Sequence, residues 1–207
     1  MKISYAITVC NELEEVSRLL NFLHQHKQPK DEICVLLDKP KASQQLLDEL
    51  YYWSSKDIIT LKESEFKGHF ADWKNELTAI CSGDYIFQID ADEIPHSHFI
   101  ENLSAILEHN SAVELYAVPR VNTVEGLTQE HIQKWGWQVD DNGWVNWPDF
   151  QTRVYKNSPD IKWKNKVHER LEGHKEFAYL PMEEEWSLYH PKTIDRQEKQ
   201  NNYYNTL

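Results

Sequence analysis

Short apolar runs alternate with helical stripes along the first 119 residues of the chain. Five runs rich in aliphatic and β-branched side chains predict buried strands over residues 3–9, 32–37, 57–62, 85–89 and 113–119. Between them, apolar residues recur three or four positions apart and predict helices over 12–26, 41–54, from Phe70 to a stop at Gly83, and over 97–109. This alternation is typical of an α/β protein with a mainly parallel, Rossmann-type sheet and helices on both faces.

Polar side chains follow three of these strands at the point where each strand ends. Asn11 and Glu12 follow the first strand, Asp38 follows the second, and Asp90 and Asp92 follow the fourth. Ligands of open parallel sheets bind beyond the carboxyl ends of the strands. We therefore expect these groups to meet at one edge of the sheet and to form a site there.

The pattern changes after residue 120. Residues 120–150 show little periodicity and predict a loop-rich lobe over the sheet edge, whereas 151–156 and 185–190 predict short strands. Residues 161–171 are expected to be extended or turning, and the polar tail 193–207 to be helical. Without a repeat or a linker, the chain is expected to form one domain over residues 1–207.

Charge and cysteine content narrow the possible partners and location. The 207 residues include 22 Lys and Arg against 34 Asp and Glu, a net charge of −12, which disfavours a nucleic-acid partner. The sequence has no apolar run of ~18 residues and no secretory signal, so no transmembrane segment is expected, although peripheral membrane contact stays compatible with it. We interpret Cys10, Cys34 and Cys81 as reduced core residues of a cytoplasmic protein.

The strongest local signal is the sequence YIFQIDADE. On an extended chain Asp90 and Asp92 point the same way, about 6–7 Å apart. The two carboxylates repel each other unless a positive charge lies close by, and a hard divalent cation such as Mg²⁺ or Mn²⁺ prefers oxygen ligands of this kind. The alternative is a pair of solvated acids in a turn.

Several motifs in order resemble family 2 glycosyltransferases with the GT-A fold. These are ITVCNELEEVSRLL, the aspartate after ICVLL, and FADWKNELTAICSGDYIFQIDADE. Further on, WPDFQTRVYKN, VHERL, SLYHPKT and DRQEKQNNYY resemble a branch that includes some lipopolysaccharide-core glucosyltransferases. The sequence departs from the family pattern at Lys39 and Pro40, where an acidic-glycine-serine run is usual, and at Lys74, where arginine is commoner.

The resemblance implies that a sugar moves from a nucleotide-sugar donor, with a UDP-sugar favoured, to a hydroxyl of a glycan or glycolipid acceptor in polysaccharide or lipopolysaccharide biosynthesis. It implies inversion at the transferred carbon. Residues 1–119 would bind the nucleotide sugar, and 120–207 would form an acceptor and catalytic half with a loop-rich lobe. A cation that bridges Asp92 to the diphosphate would stabilise the leaving group.

The resemblance also implies which side chains bind the donor: Thr8, Asn11, Glu12, Asp38, Lys74 and Asp90. The first four would hold the base and ribose, Asp90 would face the ribose, and Lys74 would face the phosphates or the Asp90 carboxylate. Structural alternatives are a helix cap for Asn11 or Asp38, a favourable charge at a helix N-terminus for Glu12, and a solvated helix face for Lys74.

Members of this fold commonly add a late histidine to the metal bound by the DxD motif. His190 fits that position best and His168 is its rival, so the predicted ligands are Asp92, His190 and His168. The alternative for either histidine is a surface or satisfied core residue.

An inverting transfer needs a base for the acceptor hydroxyl. By resemblance Glu169 is the first candidate, and Asp149 is the second. The alternative for both is an ion pair, of Glu169 with Arg170 or Lys166, and of Asp149 with Arg153.

Four tryptophans of the irregular segment could bind the acceptor, because an indole face packs well against a sugar ring. They are Trp135, Trp137, Trp144 and Trp147. The alternative is an aromatic cluster that holds a loop together.

Two other functions stay open at this point. The lysine at position 74 is compatible with a catalytically silent relative that binds a sugar nucleotide or glycan. A metal-dependent nucleotidyltransferase is disfavoured, because the N-terminal motif presents acids and an amide rather than bases for a triphosphate.

Overall fold

The structure is a computed structural model that describes the backbone of residues 1–204 and the side chains of residues 1–201. Its strands are β1 (Ile3–Val9), β2 (Glu32–Asp38), β3 (Ile59–Ser64), β4 (Tyr85–Asp90), β5 (Ile94–Pro95), β6 (Leu115–Val118), β7 (Arg120–Glu125), β8 (Gln151–Lys156), β9 (Lys162–Lys164), β10 (Arg170–Glu172), β11 (Phe177–Tyr179) and β12 (Leu188–Thr193). Its α-helices are α1 (Leu13–His26), α2 (Gln44–Ser55), α3 (Phe70–Thr78), α4 (Ser97–His109), α5 (Gln129–Trp135) and α6 (Ile194–Tyr204).

Within the described residues the central sheet has seven strands in the order β11-β6-β8-β4-β1-β2-β3. Strand β1 pairs in parallel with β2 and with β4, and β2 pairs in parallel with β3. Strand β8 is antiparallel to both of its neighbours, β4 and β6. The predicted α/β fold with a mainly parallel sheet is therefore confirmed.

Side chains that alternate along the strands build a core on each face of the sheet. Tyr5 and Ile7 of β1 lie in the larger core with buried residues of α1, α2 and α4. Ala6, between them, lies in the second core with Ala71 and Leu77 of α3. The helices thus cover both faces, as the apolar pattern predicts.

The second half of the chain is more regular than its pattern indicates. Residues 120–125 form β7 and residues 129–135 form α5, so the prediction of irregular chain is wrong for these two stretches. Strand β7 pairs in parallel with β12, which also pairs antiparallel with the short β5. Because both of β12's partners are distant in sequence, no local pattern marks this small sheet.

Some predicted boundaries move. Helix α3 ends at Thr78 rather than near Gly83. A Cβ atom on Gly83 would lie 2.7 Å from the backbone nitrogen of Ser4, so glycine is needed there for close approach of two chain segments. The predicted strand 185–190 lies instead at Leu188–Thr193, and the predicted helical tail forms α6, whereas residues 205–207 lie outside the described part.

Over residues 1–204, no helix combines the length and the apolar character needed to cross a membrane.

Candidate active site

A cleft of about 850 Å³ opens where the parallel strands end. The register pairs Thr8 of β1 with Leu36 of β2 on one side and with Asp90 of β4 on the other, so the strands end nearly level. Thr8, Asp38, Asp90 and Asp92 all line the cleft. The sheet therefore brings together the polar groups that follow its separate strands, as the topology of such sheets requires.

The lining of the cleft is more positive than the protein as a whole. Seven lining side chains are lysine or arginine and five are aspartate or glutamate, although the chain carries a net charge of −12. The cationic residues are Lys41, Lys74, Arg120, Arg153, Lys192, Arg196 and Lys199. A cleft with this local balance can attract an anion to an otherwise acidic molecule.

Asp38 is only 3% exposed, and it does not cap the next helix. Its Oδ1 accepts a hydrogen bond from the backbone N–H of Phe66 at 3.1 Å, and its Oδ2 lies 3.3 Å from the ammonium of Lys41. The side chain of Ser43 caps α2 instead. Asp38 thus presents a carboxylate at the wall of the cleft.

Glu12 and Asn11 have separate roles. Glu12 Oε2 accepts hydrogen bonds from the backbone N–H groups of Cys10 (2.8 Å) and Asn11 (2.9 Å), and its side chain lines the cleft. The exposed Asn11 is not among the lining residues, and its Oδ1 accepts a hydrogen bond from Ser43 N–H at 2.9 Å. Asn11 therefore ties the end of β1 to the start of α2 and does not cap α1, which begins without a side-chain cap.

Asp90 is paired with a residue that the sequence prediction missed. Its Oδ2 lies 2.5 Å from Arg153 Nη2, and its Oδ1 accepts a hydrogen bond from Gln88 Nε2 at 2.9 Å. Burial raises the pKa of Asp90, but the positive charges of Arg153 and Lys74 outweigh it and hold the pKa below its usual range. Arg153 of β8 thus helps to keep Asp90 ionised. The sequence predicts β8 as a strand but does not indicate this pairing.

Lys74 forms its ion pair with Glu169, at 2.5 Å, rather than with Asp90. Its ammonium also lies 4.4 Å from the centre of the Trp163 ring, a cation–π arrangement. Lys74 and Glu169 both line the cleft. Of the partners considered for Glu169 from sequence, Arg170 pairs with Glu172 at 2.8 Å instead.

Asp92 and His190 meet at the lip of the cleft. Asp92 Oδ2 lies 3.2 Å from His190 Nε2 and 3.2 Å from Arg196 Nη2 of α6. Strand pairing causes this meeting, because β5 begins two residues after Asp92 and pairs with β12, which carries His190. Burial raises the pKa of Asp92, but its contacts with His190 and then Arg196 outweigh the effect, so the pKa is lowered.

The two aspartates of the DADE motif therefore have different partners: Asp90 pairs with Arg153, and Asp92 contacts His190 and Arg196. His168 lines the same cleft, and its backbone adopts a positive φ of 52°. Among the residues described, no group of three or more His, Cys, Asp or Glu side chains could hold a metal ion. The protein can thus offer a cation two close ligands, Asp92 and His190.

Asp149 lies beside a smaller pocket of about 250 Å³, which also borders His190, Arg120 and Lys192. Its ion pair is with Arg120, at 2.5 Å, and not with Arg153 as considered from sequence. Asp149 Oδ1 accepts a hydrogen bond from Gln151 Nε2 at 2.8 Å. Burial raises the pKa of Asp149, but Arg120 and the hydrogen bonds to the carboxylate outweigh it, and the pKa is lowered.

A buried glutamate of the DADE motif pairs with arginines that line the two cavities. Glu93 is fully buried, and its Oε1 lies 2.7 Å from Arg153 Nη2 and 3.0 Å from Arg120 Nη1. The chain of charges runs from Asp90 through Arg153, Glu93 and Arg120 to Asp149. Two arginines that share one carboxylate are a tertiary arrangement, and the sequence signals only the position of Glu93 after a strand.

The four candidate tryptophans form two close pairs. The ring centres of Trp135 and Trp137 are 4.6 Å apart, and those of Trp144 and Trp147 are 4.9 Å apart. Trp137 borders the smaller pocket, whereas the other three line neither of the two cavities. The packing of these three fits the alternative of aromatic residues that hold a loop together.

Comparison with solved structures shows a shared fold. A fragment of S. aureus TarS, residues 1–349, has a TM-score of 0.57 at 15% identity and covers 92% of this chain and 60% of its own. The same fragment in complex with UDP-GlcNAc has a TM-score of 0.57 at 16% identity, covering 93% and 59%. A second TarS structure has a TM-score of 0.59 at 15% identity, covering 97% and 38%.

This chain therefore spans 60% or less of the length of these structures. A search of curated proteins found no match. The chain matches the family model described as "Glycosyl transferase family 2" over residues 4–178. Since this match covers most of the chain and the solved structures share its GT-A-like α/β fold, the protein belongs to glycosyl transferase family 2.

Proposed function

We propose that the protein is a metal-dependent glycosyltransferase that moves a sugar from a UDP-sugar to a hydroxyl of a glycan or glycolipid, with inversion. The single observation that carries the proposal is the meeting of Asp92 and His190, 3.2 Å apart, in the cleft that also contains Asp38. The family match favours sugar transfer over the nucleotidyltransferase alternative.

The residues at the lip of the cleft fit a divalent cation. A carboxylate oxygen of Asp92 and a ring nitrogen of His190 suit Mn²⁺ or Mg²⁺. Such ions are commonly held by one or two protein groups and completed by substrate phosphates and water, so two ligands suffice. When bound, the cation would act as a Lewis acid that neutralises the departing diphosphate.

Side chains of β12 and α6 would complete the binding of the diphosphate. Lys192 is partly buried near Arg120 and Arg196. Burial lowers the pKa of Lys192, and the two guanidinium groups lower it further, although Asp92 opposes them. An anion in the cleft would relieve this crowding of positive charge, which supports a phosphate position beside Lys192 and Arg196.

The donor nucleotide is proposed to occupy the part of the cleft lined by Thr8, Glu12, Asp38 and Asp90. Asp38 and Asp90 offer acceptor oxygens to the base or to the ribose hydroxyls. Asn11 would support the site indirectly, because its hydrogen bond with Ser43 N–H holds the end of β1 against the start of α2. The similar structure of TarS was determined in complex with UDP-GlcNAc, which supports a UDP-sugar as the donor here.

Glu169 is the proposed base. The acceptor hydroxyl oxygen attacks the anomeric carbon while the bond from that carbon to the diphosphate breaks, and the Glu169 carboxylate takes the hydroxyl proton. The electron pair of the broken bond leaves on the diphosphate. The position of Glu169 in the cleft beside Lys74 supports this role.

The acceptor is proposed to approach through the smaller pocket, where Trp137 can pack on a sugar ring and Asn146 and Gln197 can bond its hydroxyls. Motif resemblance to lipopolysaccharide-core glucosyltransferases supports a bacterial surface glycan or glycolipid as the acceptor, made in the cytoplasm and in peripheral contact with a membrane.

The variant Asp92→Asn tests the metal site. We expect a UDP-sugar to raise the melting temperature of the wild-type protein in Mn²⁺ but not in EDTA, and the variant to lose this difference while remaining folded. Asp48→Asn, an exposed aspartate of α2, is the matched control. Equal donor stabilisation of the Asp92 variant and wild type in Mn²⁺ would remove Asp92 from the site.

Turnover distinguishes an enzyme from a binding protein. With UDP-sugars and sugar acceptors, we expect metal-dependent release of UDP. Donor-induced stabilisation without any UDP release would favour the catalytically silent relative instead.

A further inference from the structure

Strand pairing places Asn122 directly beside the proposed metal ligand. His190 of β12 and Asn122 of β7 are register partners. The Nδ1 atom of His190 lies 2.8 Å from Asn122 Oδ1, while its Nε2 atom faces Asp92. The imidazole is thus held at both nitrogens, by an amide on one side and by the metal-site carboxylate on the other.

The orientation of the Asn122 amide is fixed by Asp149. Asn122 Nδ2 donates a hydrogen bond to Asp149 Oδ2 at 2.9 Å. An ionised carboxylate only accepts, so the NH₂ group of Asn122 must face Asp149 and its oxygen must face His190. Since that oxygen also only accepts, Nδ1 of His190 must carry the hydrogen.

With Nδ1 engaged by Asn122, Nε2 is the ring nitrogen left to face Asp92, and its lone pair is available to a cation once Nε2 carries no proton. A cation bound by both Nε2 and the Asp92 carboxylate would take the place of the proton between these two atoms, which lie 3.2 Å apart. Hydrogen bonds that fix the tautomer and ring orientation of a ligand histidine raise its affinity for metal.

Asp149 is itself held firmly. Arg120 donates to Asp149 Oδ2 through Nε at 2.9 Å and through Nη2 at 2.5 Å, and Gln151 donates to the other oxygen. With both oxygens engaged, Asp149 is poorly placed to take a proton from an acceptor, which argues against its role as the base.

We infer that Asn122 and Asp149 are positioning residues that select the Nδ1–H tautomer of His190 and aim its Nε2 at the cation. The inference rests on the proposed function, because it requires the metal site at Asp92 and His190.

The test measures Mn²⁺ affinity in the presence of UDP, from the electron paramagnetic resonance signal of free Mn²⁺. Asn122→Leu keeps the size of the side chain and removes the acceptor for Nδ1–H, so we expect the affinity to fall about 10–100-fold. Asp149→Asn keeps the shape but no longer dictates the amide orientation, and a smaller loss is expected. UDP affinity in EDTA should stay near wild type for both variants, and both should unfold cooperatively in EDTA, although Asp149→Asn should lower the melting temperature because Arg120 loses an ion pair.

The matched control is Asn102→Leu, since Asn102 contacts His98 on α4 outside both cavities. It should bind Mn²⁺ like the wild type. Wild-type Mn²⁺ affinity in Asn122→Leu and Asp149→Asn, combined with loss of affinity in Asp92→Asn, would overturn this inference alone. If Asp92→Asn also retains wild-type affinity, the metal site of the proposed function fails and the inference fails with it.

Discussion

At the residue scale, the same side chain can satisfy a structural and a chemical role. Lys74 stands where the family more often has arginine, and its ion pair with Glu169 shows that it still reaches a cleft carboxylate. Glu12 holds two backbone N–H groups and also lines the cleft. Because one side chain can serve both roles, residue type alone did not decide between the structural and the functional interpretation.

Replacement of Glu169 by glutamine tests the base. Glutamine keeps the shape but cannot take the proton, so we expect sugar transfer to fall at least about 100-fold. Donor affinity in Mn²⁺, measured by calorimetry, should stay close to wild type. The control is Glu172→Gln, because Glu172 pairs with the exposed Arg170. This variant should transfer sugar normally. Unimpaired transfer in Glu169→Gln would assign the proton transfer to another group.

At the element scale, one carboxylate forms a polar clamp, a set of hydrogen bonds that joins segments far apart in sequence. Glu32 at the start of β2 accepts hydrogen bonds from Lys2 Nζ (2.6 Å) and Ser4 Oγ (2.6 Å), and also from the backbone N–H (2.6 Å) and the hydroxyl (2.8 Å) of Ser82. Burial raises the pKa of Glu32, but these donors outweigh it and lower the pKa to about 2. One carboxylate therefore links β1, β2 and the loop before β4.

This clamp predicts a pH-dependent stability difference for Glu32→Gln. A depressed carboxyl pKa stabilises the folded state above the unfolded pKa, and this stabilisation is lost as the pH falls toward the folded value. We expect Glu32→Gln to lower the free energy of unfolding by ~2 kcal/mol at pH 7 and by clearly less at pH 3. Urea titrations at both pH values measure it, with the exposed Glu130→Gln as control. A deficit independent of pH would contradict the assignment.

At the scale of the whole molecule, buried charges join the central sheet to the small β5-β12-β7 sheet. Arg153 of β8 belongs to the central sheet and Arg120 of β7 to the small one, and Glu93 bonds to both. Fully buried ions persist only when they are paired. The relative position of the two sheets, and with it the distance between cleft and smaller pocket, therefore depends on Glu93.

Glu93→Gln should accordingly be one of the most destabilising single changes. Loss of the carboxylate leaves two guanidinium groups without a shared counter-charge, and we expect ~3 kcal/mol of destabilisation in urea unfolding. Glu101→Gln removes only the exposed pair with His26 and should leave stability almost unchanged. Similar stabilities for these two variants would show that the buried chain of charges does not hold the sheets together.

The sequence by itself determined the order of strands and helices through residue 118, except for the short β5, and the edge at which Asp38, Asp90 and Asp92 meet. Buried strands and amphipathic helices each have a characteristic spacing of apolar residues in the sequence. The parallel topology then places the carboxyl ends of the parallel strands on one side of the sheet. The tertiary structure alone decided the partners: Arg153 for Asp90, Glu169 for Lys74, and Asn122 for His190. These pairings join residues at least 63 positions apart, and ångström-scale packing rather than any local pattern chooses among the available cations and amides.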